Sequence, residues 1–111
     1  MPDDHFSELW NLQKKLGDRV FKERTIENDE SFLRNLVVAI FVESAELMNE
    51  LKYKWWKDNQ PIERNKILDE SIDILQFLYQ FWISAGFNPD EVINAFKAKN
   101  KHNFQRFFND P

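Results

Sequence analysis

Two pairs of acidic residues interrupt strongly apolar sequence, and this feature restricts the possible folds more than any other. Glu43 and Glu46 lie in the run LVVAIFVESAELMNEL, and Glu70 and Asp73 lie in LDESIDILQFLYQFW. Residues three apart share one face of a helix, so each pair places two carboxylates side by side. Burying like charges costs free energy unless protons, a basic partner or a metal ion neutralise them. The two segments therefore predict helices whose acids must find a counter-charge.

Two simpler interpretations compete with a metal site. A pair of acids on a helix is most often a solvent-exposed stripe, although here both pairs interrupt an apolar face. The second interpretation is a salt-bridge network between the acids and the bases near the helix ends, namely Lys52, Lys54, Arg64 and Lys66. These bases suit Glu50 better than the four central acids, which lie about a turn or more away. Two carboxylates about 4 Å apart repel by roughly 4 kcal/mol at an effective dielectric near 20, so we favour Mg²⁺ as the counter-ion.

The sequence pattern of the rest of the chain also predicts helices. Only two glycines occur among 111 residues, and β-branched residues do not alternate with polar ones. Apolar spacing and capping residues predict helices over 4–23, 30–56, 61–85 and 89–108. Pro61 suits a first helical position, and Gly86 suits the position after a helix end. We therefore predict an all-α, four-helix bundle in a single domain over residues 1–111.

The two central helices are predicted to be buried. Apolar side chains surround nearly the whole of helix two between Leu36 and Met48, and such a helix is usually buried. Helices two and three should then lie at the centre, with their acids facing each other. Aromatic residues make up 15% of the chain, more than a small monomer easily buries. We therefore expect an oligomer, either a homodimer or a homotetramer.

Composition excludes several classes of function. A net charge of −4 argues against a general nucleic-acid-binding surface. There is no cysteine, and the two histidines, His5 and His102, are far apart, so a zinc site is not expected. The longest apolar run, residues 36–42, is too short to cross a membrane, and the polar N-terminus is not a signal peptide. These features predict a cytoplasmic protein with no membrane or nucleic-acid partner.

Three further groups of residues are candidates for binding a nucleotide. Lys99, Asn103 and Arg106 share one face of helix four, where cations suit phosphate and the amide suits a sugar or base. The same residues are explained equally well as a solvent-exposed basic turn at the C-terminal end of the helix, where cations are favoured by the helix dipole. Trp55 offers a surface for base stacking but is also explained as a core or interface residue. Gln13 is a lone amide that is more often a surface residue than a base reader.

The order and spacing of these residues resemble a known superfamily. The two acid pairs, with 23 residues between them, are similar to the signature of the all-α nucleoside triphosphate pyrophosphohydrolases, which include MazG-like enzymes and dimeric dUTPases. The segments KYKWWK, ESIDILQFL, GFNPDEV and KAKNKHNFQRF resemble the dimeric dUTPase branch and the related phage dCTPase-dUTPases. The likeness covers about residues 34–107.

The resemblance implies a reaction and a set of residue roles. It implies hydrolysis between the α- and β-phosphates of a pyrimidine deoxynucleoside triphosphate, with dUTP as the first candidate. Mg²⁺, or Mn²⁺ in its place, would be held by Glu43, Glu46, Glu70 and Asp73. Glu46 would also activate the attacking water. Lys99 and Arg106 would hold phosphates, and the nucleoside would contact Gln13, Trp55 and Asn103.

Two alternatives stay open at this point. Within the same class of enzyme, the protein would prefer dCTP or remove a broad range of deoxynucleoside triphosphates, because one amide side chain can serve either uracil or cytosine. Outside that class, it would be a helical interaction module without catalytic activity. The second alternative predicts that divalent metal ions leave the stability of the fold unchanged.

Overall fold

The computed structural model describes residues 4–109, and these form four α-helices. The helices are α1 (His5–Arg24), α2 (Glu30–Glu50), α3 (Arg64–Ser84) and α4 (Pro89–Phe108). No strand occurs within residues 4–109. The prediction of an all-α fold with four helices is confirmed.

Side-chain caps define where three of the helices begin. Asp4 and Asp29 each accept a hydrogen bond from a backbone N–H in the first turn of α1 and α2. At α4, Asn88 Oδ1 accepts from the Glu91 N–H at 2.9 Å, and Glu91 Oε1 accepts from the Asn88 N–H at 3.1 Å. This reciprocal pair is the capping box that the sequence Asn-Pro-Asp-Glu indicates. Gly86 follows α3 with a φ of 89°, as its predicted place after a helix end requires.

The predicted end of helix two and the predicted start of helix three were wrong. Helix α2 stops at Glu50 rather than residue 56, because Lys52 adopts a left-handed conformation with a φ of 55°. Helix α3 starts at Arg64, so Pro61 precedes the helix instead of opening it. Residues 51–63 form an irregular segment, here called the α2–α3 connector. Trp55 therefore lies on this connector and not on a helix.

Helix α3 holds the bundle together. It packs most extensively against α2 and also against α1, whereas α4 contacts α1. Asn28, just before α2, donates a hydrogen bond from Nδ2 to the backbone carbonyl of Ser84 at the end of α3, so these two helices run antiparallel. Trp10 of α1 stacks on Trp82 of α3 with ring centroids 6.2 Å apart. These contacts bring both α1 and the start of α2 to the C-terminal end of α3.

One side of α2 stays open to solvent. Val38, Phe41 and Met48 point away from α3 and are 58%, 72% and 49% exposed. The prediction that α2 is buried on all sides is therefore not met by a single chain, because only α3 packs extensively against it within residues 4–109. No helix in this part of the chain is both long enough and apolar enough to cross a membrane.

Candidate metal centre

The acids of α2 and α3 converge on one another across the helix pair. Ligand oxygens of Glu43, Glu46 and Glu70 lie within 4.8 Å of one another, as do those of Asp69, Glu70 and Asp73. The two groups share Glu70. We refer to Glu43, Glu46, Glu70 and Asp73 as the acidic site. Sequence reasoning missed Asp69, whose only signal was its position directly before Glu70.

Two carboxylate oxygens of this site, one on each helix, lack a protein partner. Glu43 Oε2 and Glu70 Oε2 are inaccessible to solvent and accept no hydrogen bond. The ion pairs within residues 4–109 involve other acids; Lys66, for example, lies 2.9 Å from Glu63. The structure therefore does not support the interpretation of the acids as a salt-bridge network. Glu46 is exposed and the other three acids are half-buried, which argues against a fully solvated stripe.

Burial and mutual repulsion both disfavour ionisation of the acidic site. Burial is the main cause that raises the pKa of Glu43, followed by repulsion from Glu46 and Asp73, while a hydrogen bond with Glu70 opposes the rise. Burial also raises the pKa of Glu70, with repulsion from Glu46 and Asp73 next in size. The four carboxylates therefore influence one another directly. A cation among them would remove the repulsion and occupy the unpartnered oxygens.

The donor set fits a hard divalent cation. All available ligands are carboxylate oxygens, and neither thiolate nor imidazole lies among the clustered donors of residues 4–109. Mg²⁺ prefers such oxygens and completes its shell with water and substrate phosphate. Mn²⁺ accepts the same ligands. The residues present therefore fit the ion that the sequence predicted.

A cavity adjoins the acidic site on the side of α1. It has a volume of about 400 Å³, and its lining includes Glu43, Asp73, Gln13, Gln76 and Phe77. We call it the acid cavity. The structure thus places Gln13 of α1 in the lining of the same cavity as two of the predicted metal ligands. This proximity was not evident from the sequence, because Gln13 precedes Glu43 by thirty residues.

The remaining candidate residues lie elsewhere on the single chain. Lys99 lines a separate apolar groove of about 990 Å³ between α3 and α4. Asn103 is half-buried, and the Arg106 guanidinium lies 4.5 Å from the centroid of the Phe107 ring. Trp55 is 87% exposed and borders a cavity of about 480 Å³ on the α2–α3 connector. None of these four residues lines the acid cavity within the described part of one chain.

Gln80 is a polar residue of this region that sequence reasoning missed. It is only 5% exposed, lines the acid cavity and hydrogen-bonds to Gln13. Its one sequence signal was an amide within the otherwise apolar run FLYQFW. A buried amide of this kind needs hydrogen-bond partners, so its position between α1 and α3 is determined by polar contacts as well as by packing.

The fold and the acidic site define an all-α protein with a carboxylate centre suited to a divalent metal. Comparison with known families agrees with this class. The family model described as dUTPase matches residues 5–86, which is well over half of the chain. The chain therefore belongs to the dUTPase family that this model describes.

A known protein is similar in sequence to this chain over a shorter segment. The dCTP pyrophosphatase of Enterobacteria phage T4 is 32% identical over 57 residues, which cover 51% of this chain and 33% of the phage protein. The aligned segment thus represents about one third of the phage protein's length. No solved structure gives a significant match.

Proposed function

We propose that the protein is a Mg²⁺-dependent nucleoside triphosphate pyrophosphohydrolase that converts dUTP and water to dUMP and pyrophosphate. The observation that supports this most directly is the acidic site, in which two helices contribute carboxylates with unpartnered, inaccessible oxygens. Membership of the family described as dUTPase supports the same reaction and the choice of dUTP.

The residues of the acidic site have distinct roles in this proposal. Bound Mg²⁺ would neutralise phosphate charge and lower the pKa of a coordinated water. Glu43, Glu46, Glu70 and Asp73 would hold the ion. Glu46, the most exposed of the four, would in addition accept the proton of the attacking water. The water oxygen bonds to the α-phosphorus, and the bond from that phosphorus to the α,β-bridging oxygen breaks. Pyrophosphate leaves with the electron pair of the broken bond.

The substrate is held by residues outside the acidic site. Lys99 and Arg106 bind phosphate oxygens as cations, and Asn103 on the same face of α4 contacts the nucleoside. Trp55 stacks on the base, for which its large exposed area is suitable. Gln13 reads the base edge, and its position in the acid cavity beside Glu43 and Asp73 supports this role.

A second candidate substrate is dCTP. The identity with the phage dCTP pyrophosphatase favours it, because that protein's name states this activity. The Oε1 atom of Gln13 can accept a hydrogen bond from the N4 amino group of cytosine as well as from N3–H of uracil, so Gln13 suits either base. The reaction and the residue roles are the same for both substrates.

The reaction is tested by pyrophosphate release from dUTP, dCTP, dTTP, dATP and UTP in the presence of MgCl₂. We expect dUTP to be hydrolysed fastest and chelation of the metal to stop the reaction. Fastest release from dCTP would make the second candidate the substrate. Absence of pyrophosphate from all five nucleotides would contradict the proposed function.

Replacement of the proposed base tests its role separately. We expect Glu46→Gln to lower kcat by about 10²- to 10⁴-fold, because a general base contributes this much. The melting temperature should stay close to that of the wild type, since Glu46 is exposed. Glu27→Gln is the matched control, because Glu27 is an exposed acid outside the described helices. Full activity of Glu46→Gln would show that another group accepts the proton.

We also propose that the active form is a homo-oligomer, either a dimer or a tetramer. The chain exposes 9269 Å², whereas a compact monomer of this mass exposes about 6,500 Å². Its radius of gyration is 17.5 Å, against about 13 Å for a compact domain of this length. The open side of α2 provides an apolar surface for a second copy.

A further inference from the structure

A row of hydrogen bonds links Gln13 to the end of α3. Gln13 Nε2 donates to Gln80 Oε1 at 3.1 Å, and Gln80 Nε2 donates to Ser84 Oγ at 2.9 Å. Both ends of the Gln80 amide are therefore engaged. Because Gln80 is 5% exposed, water cannot easily replace these partners. The orientation of the Gln80 amide is thus determined by the protein itself.

Gly17 provides the space that the Gln80 amide occupies. It lies on α1 one turn after Gln13, and it is buried. A Cβ at this position would collide with Gln80 Oε1, the same atom that accepts the hydrogen bond from Gln13. Glycine lowers helix stability relative to alanine, so helix propensity does not explain its presence in the middle of α1. Its lack of a side chain allows Gln80 to reach Gln13.

The hydrogen bond to Gln80 leaves one end of the Gln13 amide without a partner. Gln13 Oε1 is inaccessible to solvent in this structure and accepts no hydrogen bond. The same side chain lines the acid cavity with Glu43 and Asp73. An unpartnered buried acceptor is unfavourable, and a ligand N–H relieves it when the Gln13 side chain adjusts to turn Oε1 into the acid cavity. The arrangement therefore selects a ligand with a donor at this point.

We propose that Gln80 is a positioning residue that makes Gln13 present its Oε1 atom, as an acceptor, to an N–H on the edge of a pyrimidine base. The donor is N3–H in uracil and the N4 amino group in cytosine. This inference rests on the proposed function, in which Gln13 reads the base. Gln80 does not touch the nucleotide; it acts by engaging Gln13 Nε2, and Gly17 makes room for it.

Nucleotides that differ in this donor test the proposal. The probes are dUMP, dCMP and the deoxynucleoside monophosphate of 2-pyrimidinone, whose base carries no N–H and is no larger than uracil. Dissociation constants are measured by calorimetry in the presence of MgCl₂. We expect the wild type to bind dUMP or dCMP at least about tenfold more tightly than the 2-pyrimidinone nucleotide, since that nucleotide leaves Gln13 Oε1 unpaired.

Two variants separate positioning from a general structural role. Gln80→Met keeps the approximate size but removes both hydrogen bonds, and Gly17→Ala displaces Gln80 Oε1 while favouring the helix. In both we expect the preference to fall below about threefold. Asn11→Ala is the control, because it also raises helix propensity but lies on the exposed face of α1. A purely structural defect would weaken all three nucleotides equally and leave the preference unchanged.

Each outcome decides the proposal. It is overturned if the wild type shows no preference, or if the folded variants keep the full tenfold difference. Should Gln80→Met fail to fold, Gly17→Ala alone decides, because its added methyl supports the helix. Hydrolysis of dUTP or dCTP without the binding preference would overturn this inference and leave the proposed reaction standing. A binding preference without any hydrolysis would support this inference and overturn the proposed reaction.

Discussion

Glu70 is the residue on which the two groups of carboxylates meet. Its oxygens lie within 4.8 Å of ligand oxygens from α2 and, separately, from Asp69 and Asp73. Burial is the main cause of its raised pKa, and four neighbouring acids add to it. Without a cation, the ionised form of Glu70 therefore destabilises the folded state. With a cation, the same charge provides binding energy.

Because the Glu70 charge destabilises the metal-free fold but binds the cation, Glu70→Gln should change the metal-free stability and the Mg²⁺-induced stabilisation in opposite directions. We expect the melting temperature of the metal-free protein to rise by a few degrees, because a repelled charge is removed. We expect the increase in melting temperature caused by MgCl₂ to shrink, because a ligand is lost. Differential scanning calorimetry with chelator and with MgCl₂ measures both. A Mg²⁺-induced increase equal to that of the wild type would show that Glu70 is not a ligand.

The raised pKa values of Glu43 and Glu70 also predict a pH dependence. A carboxyl group whose pKa is higher in the folded state stabilises folding most below its unfolded pKa, and this contribution disappears as pH rises through the folded pKa. We therefore expect the metal-free wild type to lose stability, relative to the Glu43→Gln/Glu70→Gln double variant, as pH rises from about 4 to 8.

The comparison with the double variant isolates the acidic site. Hydrogen bonds from Ser7 and Lys66 lower the pKa values of Asp4 and Glu63, respectively. Their contributions to stability therefore increase as pH rises, opposite to those of Glu43 and Glu70. Both proteins contain Asp4 and Glu63, so their contribution cancels. Urea unfolding at each pH gives the free energies. With MgCl₂ the dependence should reverse, because the ion binds the deprotonated acids, and a difference that is constant with pH would contradict the assignment.

At the scale of the element, α4 has a well-capped first turn and little tertiary contact. Within residues 4–109 its main helix contact is a small one with α1, and none of its described residues is fully buried. The capping box formed by Asn88 and Glu91 satisfies backbone groups that packing leaves open. The proposed phosphate-binding residues lie on this helix, so its stability bears on function.

We expect Asn88→Ala to reduce stability by about 1 kcal/mol, the usual cost of losing such a cap. That corresponds to a fall in melting temperature of about 4–8 °C for a domain near this size. Asn94→Ala is the control, since Asn94 is exposed in the middle of α4 and alanine favours a helix there. A melting temperature for Asn88→Ala equal to that of the wild type would mean that α4 is held by other contacts.

The sequence predicted elements better than it predicted their ends. The start of α4 was predictable because Asn-Pro-Asp-Glu satisfies its backbone groups locally. The end of α2 was not predictable, because the left-handed turn at Lys52 occurs at a residue with no preference for that conformation. Trp55, which was predicted to lie on helix two, therefore lies on the α2–α3 connector.

The acidic site was predictable, and its surroundings were not. Helical spacing places Glu43 beside Glu46 and Glu70 beside Asp73, and the apolar flanks bring the two helices together. The packing of α1 on α3 places Gln13 in the acid cavity, and no local pattern encodes that crossing. The distance between the acids and the α4 residues Lys99, Asn103 and Arg106 is likewise set by packing between distant helices.

At the scale of the whole molecule, the amount of exposed surface is the main unusual property. The chain exposes roughly 2,700 Å² more than a compact monomer of its mass. A standard interface buries about 800 Å² per partner, and permanent homodimers bury more. The excess therefore has the size that a permanent assembly covers. Large apolar side chains lie on this surface, including Phe41 on α2 and Phe96 on α4, which are 72% and 73% exposed.

The open side of α2 predicts how the assembly is broken. We expect the wild type to have two or four times the 13.5 kDa mass of the chain by size-exclusion chromatography with light scattering. Phe41→Asp should be monomeric or weakly associated, because a charge would be buried in an apolar interface without a partner. Its acidic site should still form, since Phe41 points away from α3, whereas Glu43 faces it. Asn11→Asp adds the same charge on exposed α1 and should leave the mass unchanged. A monomeric wild type would contradict the proposed homo-oligomer.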